Sequence, residues 1–360
     1  MRNHIRLTGA PARGFSLVEL LVSMTISLIL LGGVLAVVYS SKVAYYENER
    51  VGRLQENGRS AIEILLRDMR AAGFPGCLQP IPGLFSIKNT LTNPDTLLWN
   101  LTQPVFGYDA TDDSWQPAMS ADATTLFSDP NPLPTPGNDI IVIRTVQTGA
   151  PLLRTPAQVM PTGDISVEKD PAESIRKDTP MVISDCTGAA VFLPTDVAEG
   201  ADGTTAVLKH EASAGSPGND SDDFKHTYAV GARVAPIVSI IYYIAPSRTI
   251  DGPALWRITG TDGTPTEVIA GAEAMQLRYG VDTNNDALID TYLDASAITG
   301  TAWSNVISVS LAILIRSDEP NSPILDTRTY TMLSTVLPAF NDHYQRSLFT
   351  TTVTLRNRTS

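Results

Sequence analysis

Residues 14–38 read GFSLVELLVSMTISLILLGGVLAVV, and from Phe15 onward this run carries a single charge, Glu19. A helix needs roughly 20 apolar residues to cross a bilayer core, so Phe15–Val38 is long enough. A carboxylate inside such a segment costs several kcal/mol unless it finds a partner. A plain membrane anchor leaves Glu19 unexplained. A secretory signal has an apolar core of about 7–15 residues with a small-residue cleavage site after it, which does not fit either. Arg2, Arg6 and Arg13 precede the run, and no acid occurs before Glu19. By the positive-inside rule the first residues are expected in the cytoplasm and everything after Val38 outside it.

The order of basic leader, Gly14, Phe15 and a fifth-residue Glu19 resembles the prepilin signature of type IV pilins and type II secretion pseudopilins. The resemblance implies a membrane peptidase that cuts between Gly14 and Phe15 and methylates the exposed Phe15 amine. It also implies an apolar helix retained in the core of a helical filament. A new amine at Phe15 would supply the positive partner that Glu19 of a neighbouring chain needs.

The helical pattern does not stop at the expected membrane edge. Val43, Tyr46, Val51, Leu54, Ala61, Ile62, Leu65, Leu66 and Met69 recur at helical spacing, with charged residues between them. Gly73 and Pro75 mark the expected stop. The resulting helix has an all-apolar first half and an amphipathic second half that should lie against a sheet. Gly32, Gly33 and Gly52 are its weak points.

The rest of the chain reads as strands. Residues 78–138 are rich in Pro, Asn, Asp and Thr and suggest long loops with one or two short strands. Strand-like runs follow at 139–146, 181–184, 189–193, 205–210, 228–245, 254–259, 266–281, 306–316, 328–333 and 348–357. The expected class is α+β: a long N-terminal helix packed on a β-rich, loop-rich domain. The expected organisation is a leader over 1–14, a membrane helix over 15–38, its amphipathic continuation over 39–72 and an extracytoplasmic domain over 73–360. Roughly 290 residues beyond the helix suffice for one sizeable core.

The formal net charge is −12. Loss of the three leader arginines would make it about −15, a surface that repels phosphate backbones, so nucleic acid is not an expected partner. The two cysteines, Cys77 and Cys186, read most simply as one disulfide in an oxidising compartment. It would close a loop of about 110 residues, nominally worth ~4–5 kcal/mol by chain entropy.

Residues 269–282, 306–316 and 349–358, with the contexts of Cys77 and Cys186, are similar to segments of PilW-type minor pilins and of the related J-type pseudopilin. That resemblance implies a non-enzymatic minor pilin that starts or caps a type IV pilus. The alternatives are a minor pseudopilin of a type II secretion system and a surface adhesin delivered by the prepilin route. The implied partners are the prepilin peptidase, other minor pilins, the major pilin and a tip adhesin. The implied place is the inner membrane, with a periplasmic domain that ends up near the pilus tip.

Candidate chemistry is sparse. Asp282, Asn284, Asp286 and Asp290 place side-chain oxygens at alternating positions, and the Leu288 carbonyl is available between them. Calcium takes six to eight oxygens, and a loop of this spacing can wrap one ion. Ala287 stands where a hand-type loop has its glycine, and Leu293 where it has its bidentate acid. A polar hairpin turn, for which Asn and Asp are favoured in their own right, stays open beside the calcium reading. No cofactor is required by either. His4, His210, His226 and His343 show no metal-ligand spacing, and no nucleophile elbow or glycine-rich phosphate loop occurs, so no catalysis is expected.

Overall fold

The computed structural model describes residues 14, 16–73, 87–94, 96–111, 113–128, 130–146, 153–168, 175–177, 179–215, 217–260, 263–355 and 357. The first and longest element is helix α1, Leu17–Ala71. Strands β1 Ile87–Asn89, β2 Val105–Ala110 and β3 Trp115–Gln116 precede a short helix, α2 Ala121–Leu126. Then come β4 Ile140–Val146, β5 Leu153–Arg154, β6 Ile165–Glu168, β7 Met181–Ser184, β8 Ala189–Phe192, β9 Asp196–Glu199 and β10 Thr205–Lys209. The long strand β11 Arg233–Pro246 leads into β12 Pro253–Thr259, β13 Pro265–Ala270, β14 Ala272–Val281 and β15 Thr291–Leu293. The chain closes with β16 Val306–Arg316, β17 Tyr330–Met332, β18 Thr335–Leu337 and β19 Arg346–Thr354. A long apolar helix followed by a strand-rich domain is an α+β chain.

Compactness divides the chain within α1, between Arg53 and Leu54. In the first unit the helix is exposed through its apolar stretch, and it is long and apolar enough to cross a membrane by length and composition. Its later turns carry the ion pairs Arg50–Glu47 at 3.2 Å and Arg53–Glu49 at 2.5 Å. Gly32, Gly33 and Gly52 leave the helix unbroken.

The second unit holds the sheets. The largest has the order β1-β8-β7-β11-β4-β2-β3, with β5 and β12 also on β11 and β13 beyond β12. A second sheet has the order β15-β14-β16-β19. Central β16 is buried along nearly its whole length, which explains its continuous run Val-Ile-Ser-Val-Ser-Leu-Ala-Ile-Leu-Ile. The sheet β6-β10-β9 and the hairpin β17-β18 complete the set.

One backbone position joins the two main sheets. Residues 266–281 read as one strand in sequence, but the structure breaks that strand at Gly271, whose φ is +79°. The Gly271 N–H donates to Pro253 O beside the first sheet, and its carbonyl accepts from Arg316 N in the second. Positive φ costs glycine nothing and other residues a good deal. Chain continuity therefore passes from sheet to sheet at this residue.

The end of α1 lies in the main core. Leu54, Ala61, Leu65 and Met69 are buried and cluster with Ile141, Ile143, Tyr242, Leu255, Met275 and Leu311. The helix stops at Gly73, which has φ +68° and donates to Arg144 O. Its last carbonyls are satisfied from outside, Ala71 O by Thr145 Oγ1 at 2.6 Å and Ala72 O by Asn357 Nδ2 at 2.9 Å. Trp99, Trp256 and Trp303 are core residues, whereas Tyr45 and Tyr46 are exposed.

Candidate assembly site

The start of α1 is built by a local device that the reading of residues 14–38 overlooked. Ser16 precedes the helix, and its Oγ accepts the Glu19 N–H at 3.2 Å. Ser16-x-x-Glu19 is thus the spacing of a capping box. An acid in the first turn also meets the positive end of the helix dipole. Glu19 therefore has a reason to be where it is before any second chain is considered. Among the described residues no side chain pairs with its carboxylate. Gly14 is exposed, and Phe15 lies outside the described residues together with residues 1–13.

A polar anchor fixes the other end of the helix. Asp68 is buried among apolar residues of α1, where its carboxylate needs compensation. It accepts from Tyr242 Oη at 2.6 Å on β11 and pairs with Arg257 on β12 at 3.0 Å and with Arg67 at 3.1 Å. Burial and the bond to Asp68 push the Tyr242 phenol well above its ordinary pKa. Helix and sheet are thereby held in one register.

A second buried acid joins the sheets from the side. Asp139, just before β4, accepts from Ala110 N at 2.9 Å and from Leu277 N at 2.7 Å. Its neighbour Asn138 accepts from Met275 N at 2.9 Å, so two side chains occupy the hydrogen-bonding edge of β14. Burial raises the Asp139 pKa to about 7, and the two N–H donors oppose that rise. Asp68 is marked in the sequence only by its helical spacing from Leu65 on the buried side of α1, and Asp139 only by its place before the apolar run of β4.

The loop 282–290 is folded around its own carboxylates. Asp282 is buried, and its Oδ1 accepts from Asn285 N at 2.7 Å and Asn284 N at 3.2 Å, while Oδ2 accepts from Ala287 N at 2.8 Å. Asp290 Oδ2 takes the N–H and hydroxyl of Thr283 at 2.7 and 2.6 Å, and Asp286 Oδ1 takes Leu288 N. Asn285 and Ala287 adopt left-handed φ of +61° and +65°. Carboxylates spent on backbone donors make a closed turn, and among the described residues no group of three or more His, Cys, Asp or Glu is arranged to hold a metal. The segment is a polar turn joining the antiparallel pair β14 and β15.

Cys186 sits in the turn between β7 and β8 and is not a free thiol. Cys77 lies outside the described residues. The Asp185 carboxylate organises the same turn, accepting from Thr187 N at 2.8 Å, Gly188 N at 2.9 Å and Ala229 N at 3.1 Å. The histidines stay apart in role: His210 stacks on Phe224, His226 faces Asp185, and His343 bonds Ser322 O. In the segment 218–223, buried Asn219 accepts from Leu193 N and donates to Leu193 O through its side-chain amide.

Two family models match the chain. Residues 10–35 match the prokaryotic N-terminal methylation motif, which spans Gly14 through Glu19 and most of the apolar run. Residues 241–357 match Type IV Pilus-assembly protein W, from the middle of β11 to just past β19. Together the two matches support a type IV prepilin-like protein. No curated protein and no solved structure matches it. Pilin-family domains imply association with pilus components and processing by prepilin peptidase, and the methylation motif with its apolar helix fits a membrane-anchored pilin. The PilW match covers β12 through β16, the stretch that carries Arg257, Gly271 and the β14 N–H group that donates to Asp139.

Proposed function

We propose that this chain is a minor pilin that helps start or cap a type IV pilus, together with other minor pilins and a tip adhesin. The observation that carries this reading is the pairing, in one chain, of the methylation motif over 10–35 and the PilW segment over 241–357. Cleavage falls between Gly14 and Phe15, and the new amine meets Glu19 of a neighbouring subunit in the apolar layer. The domain beyond α1 is periplasmic and sets lateral contacts to other minor pilins and the major pilin. Cys186 pairs with Cys77, consistent with the absence of a free thiol at Cys186 and with the two-cysteine composition. The role is structural and non-enzymatic.

The test is deletion of the chain and complementation by Glu19→Gln, which keeps the Ser16 cap but removes the charge. Pili should disappear in the deletion and stay absent with Glu19→Gln, while the variant reaches the membrane in normal amount. Mass spectrometry of the membrane-extracted chain should show an N-methylated Phe15 as first residue. Normal piliation in the deletion strain, or an unprocessed N-terminus, overturns the reading.

A further inference from the structure

Between Glu19 and Glu47 the chain carries a single charge, Lys42, and its three tyrosines there are Tyr39, Tyr45 and Tyr46. All four side chains are exposed on α1, and the rings of Tyr45 and Tyr46 meet edge-on at 5.9 Å. Among the described residues no acid pairs with Lys42. The next charges along α1 pair among themselves, Arg50 with Glu47 and Arg53 with Glu49. Helical geometry gathers the four exposed residues. At about 100° per residue they fall within about one third of the helix circumference. Glu19 and Ser23 fall on the opposite side, together with Ser41 and Ala44.

The rise of about 1.5 Å per residue sets their level along the axis. From Glu19 to Tyr39 is about 30 Å, the thickness of a bilayer hydrocarbon core. Lys42 lies about 5 Å farther on, and Tyr45 and Tyr46 about 10 Å. Helical side chains lean toward the N-terminus of their own helix, which here is the direction of the apolar run. The phenol and ammonium groups therefore reach back to the boundary where that run ends. Tyrosine suits such a boundary because its ring is apolar and its hydroxyl forms hydrogen bonds. Lysine lays its methylenes along apolar surface and keeps its ammonium in the polar layer. The charge left unpaired at this level is thus a cation, complementary to lipid phosphate.

We propose that Tyr39, Lys42, Tyr45 and Tyr46 form an interfacial anchor that binds phospholipid headgroups of the leaflet where the apolar run ends. The proposal rests on the reading of α1 as a membrane-spanning helix. Lys42 takes a lipid phosphate, and the tyrosine hydroxyls take headgroup and ester oxygens. The anchor fixes the depth of the helix and so holds Glu19 at the opposite boundary of the hydrocarbon core, about 30 Å away. Because anchor and Glu19 occupy opposite sides of α1, lipid on the tyrosine side leaves the Glu19 side clear for a neighbouring helix. Ser23, Ser41 and Ala44 on that side are small, and small residues let helices approach closely.

The experiment uses the full chain in nanodiscs of phosphatidylethanolamine and phosphatidylglycerol. A benzophenone amino acid is placed at position 29, 46 or 53, and phospholipid adducts are measured by mass spectrometry after irradiation. Adducts are expected at 29 and 46, and essentially none at 53, which lies about 10 Å beyond Tyr46. With the benzophenone at 46, Tyr39→Ala combined with Lys42→Glu should lower the adduct yield about fivefold, the scale of one cation at an anionic lipid surface. The yield at 29 should not change. Both substitutions lie outside the compact unit Leu54–Ser360 and at exposed positions, so its folding is not at stake. No adduct at 46, equal yields at 46 and 53, or an unchanged yield in the double variant overturns the anchor. No adduct at 29 strikes the membrane-spanning reading itself, and the anchor with it.

Discussion

The Tyr242 hydroxyl donates to the Asp68 carboxylate at 2.6 Å, tying α1 to the strand on which the PilW match begins. The same carboxylate holds Arg257 at 3.0 Å from β12. A buried acid deprived of its partners is costly, and so is a buried arginine left alone. Removing one partner of such a pair costs about 3–5 kcal/mol when both are fully buried. Arg257 is partly open to solvent, so Asp68→Ala is expected to cost about 2–3 kcal/mol. Tyr242→Phe leaves the ion pair in place and should cost about 1 kcal/mol, a typical single hydrogen bond. Urea denaturation of the detergent-solubilised chain measures both, and equal losses would show that the ion pair adds nothing.

Asp139 makes stability depend on pH in an unusual direction for a carboxylate. Its folded pKa is raised to about 7 by burial, with Asp109 and Asp294 pushing the same way and the Ala110 and Leu277 N–H groups pushing back. In the unfolded chain an aspartate titrates near 3.9. Below that value both states are protonated and nothing is lost. Between about 4 and 7 the unfolded state ionises while the folded state does not, so stability falls as pH rises, and it levels off above about 7. The full effect is on the order of 4 kcal/mol. Asp139→Asn should remove this slope while losing one of the two backbone bonds. Denaturation midpoints at pH 5 and pH 8 decide, and a wild-type chain that is more stable at pH 8 would refute the assignment.

How much of this was legible beforehand varies with how local the cause is. Strands β7 and β16 appear where the largely apolar runs 181–184 and 306–316 place them, because a strand buried on both faces has few polar positions to write. The segment 228–245 is straight only from Arg233, since Gly231 turns the chain at φ +85° just before it. Gly271 was a visible glycine inside a strand pattern, the usual mark of a bend or close approach, yet which sheet each half joins depends on Pro253 and Arg316. The Ser16–Glu19 cap could have been read directly from its spacing. The Asp68 and Asp139 anchors could not, because their partners lie on strands far along the chain. The acids at 282–290 have a calcium-like spacing, but spacing does not reveal which backbone N–H groups they bond.

Gly58 allows a test of helix docking that separates propensity from fit. In an exposed helix, Gly→Ala gains about 1 kcal/mol. Here a Cβ on Gly58 would overlap the Phe349 ring of β19. Overpacking of this kind costs typically 1–3 kcal/mol, so Gly58→Ala should destabilise on balance. In a Phe349→Ala background the obstruction is gone, and the same substitution should stabilise. The reversal of sign is the diagnostic, read as a double-mutant cycle by denaturation. An equal effect in both backgrounds would mean that α1 does not lie against Phe349.

The loop 282–290 makes a prediction that calcium itself can test. Asp282 receives the N–H groups of Asn284, Asn285 and Ala287, and Asp290 receives both donors of Thr283. These bonds hold Asn285 and Ala287 in left-handed backbone, a conformation that non-glycine residues adopt at a cost unless the surroundings enforce it. Asp282→Ala removes the central acceptor from four N–H groups, of which only that of Asp286 keeps a second acceptor, Asn284 Oδ1. It is expected to lower stability by about 1–3 kcal/mol, the cost of orphaned donors. The Asp290 pKa, held below its ordinary value chiefly by the Thr283 hydroxyl and N–H bonds, adds a contribution that is lost as pH falls through that lowered value. If the turn is self-sufficient, millimolar calcium leaves the wild-type melting temperature unchanged and Asp282→Ala melts early to the same extent with or without it. A calcium-dependent rise in the wild type that vanishes in Asp286→Ala would show that the carboxylates exchange their backbone donors for an ion.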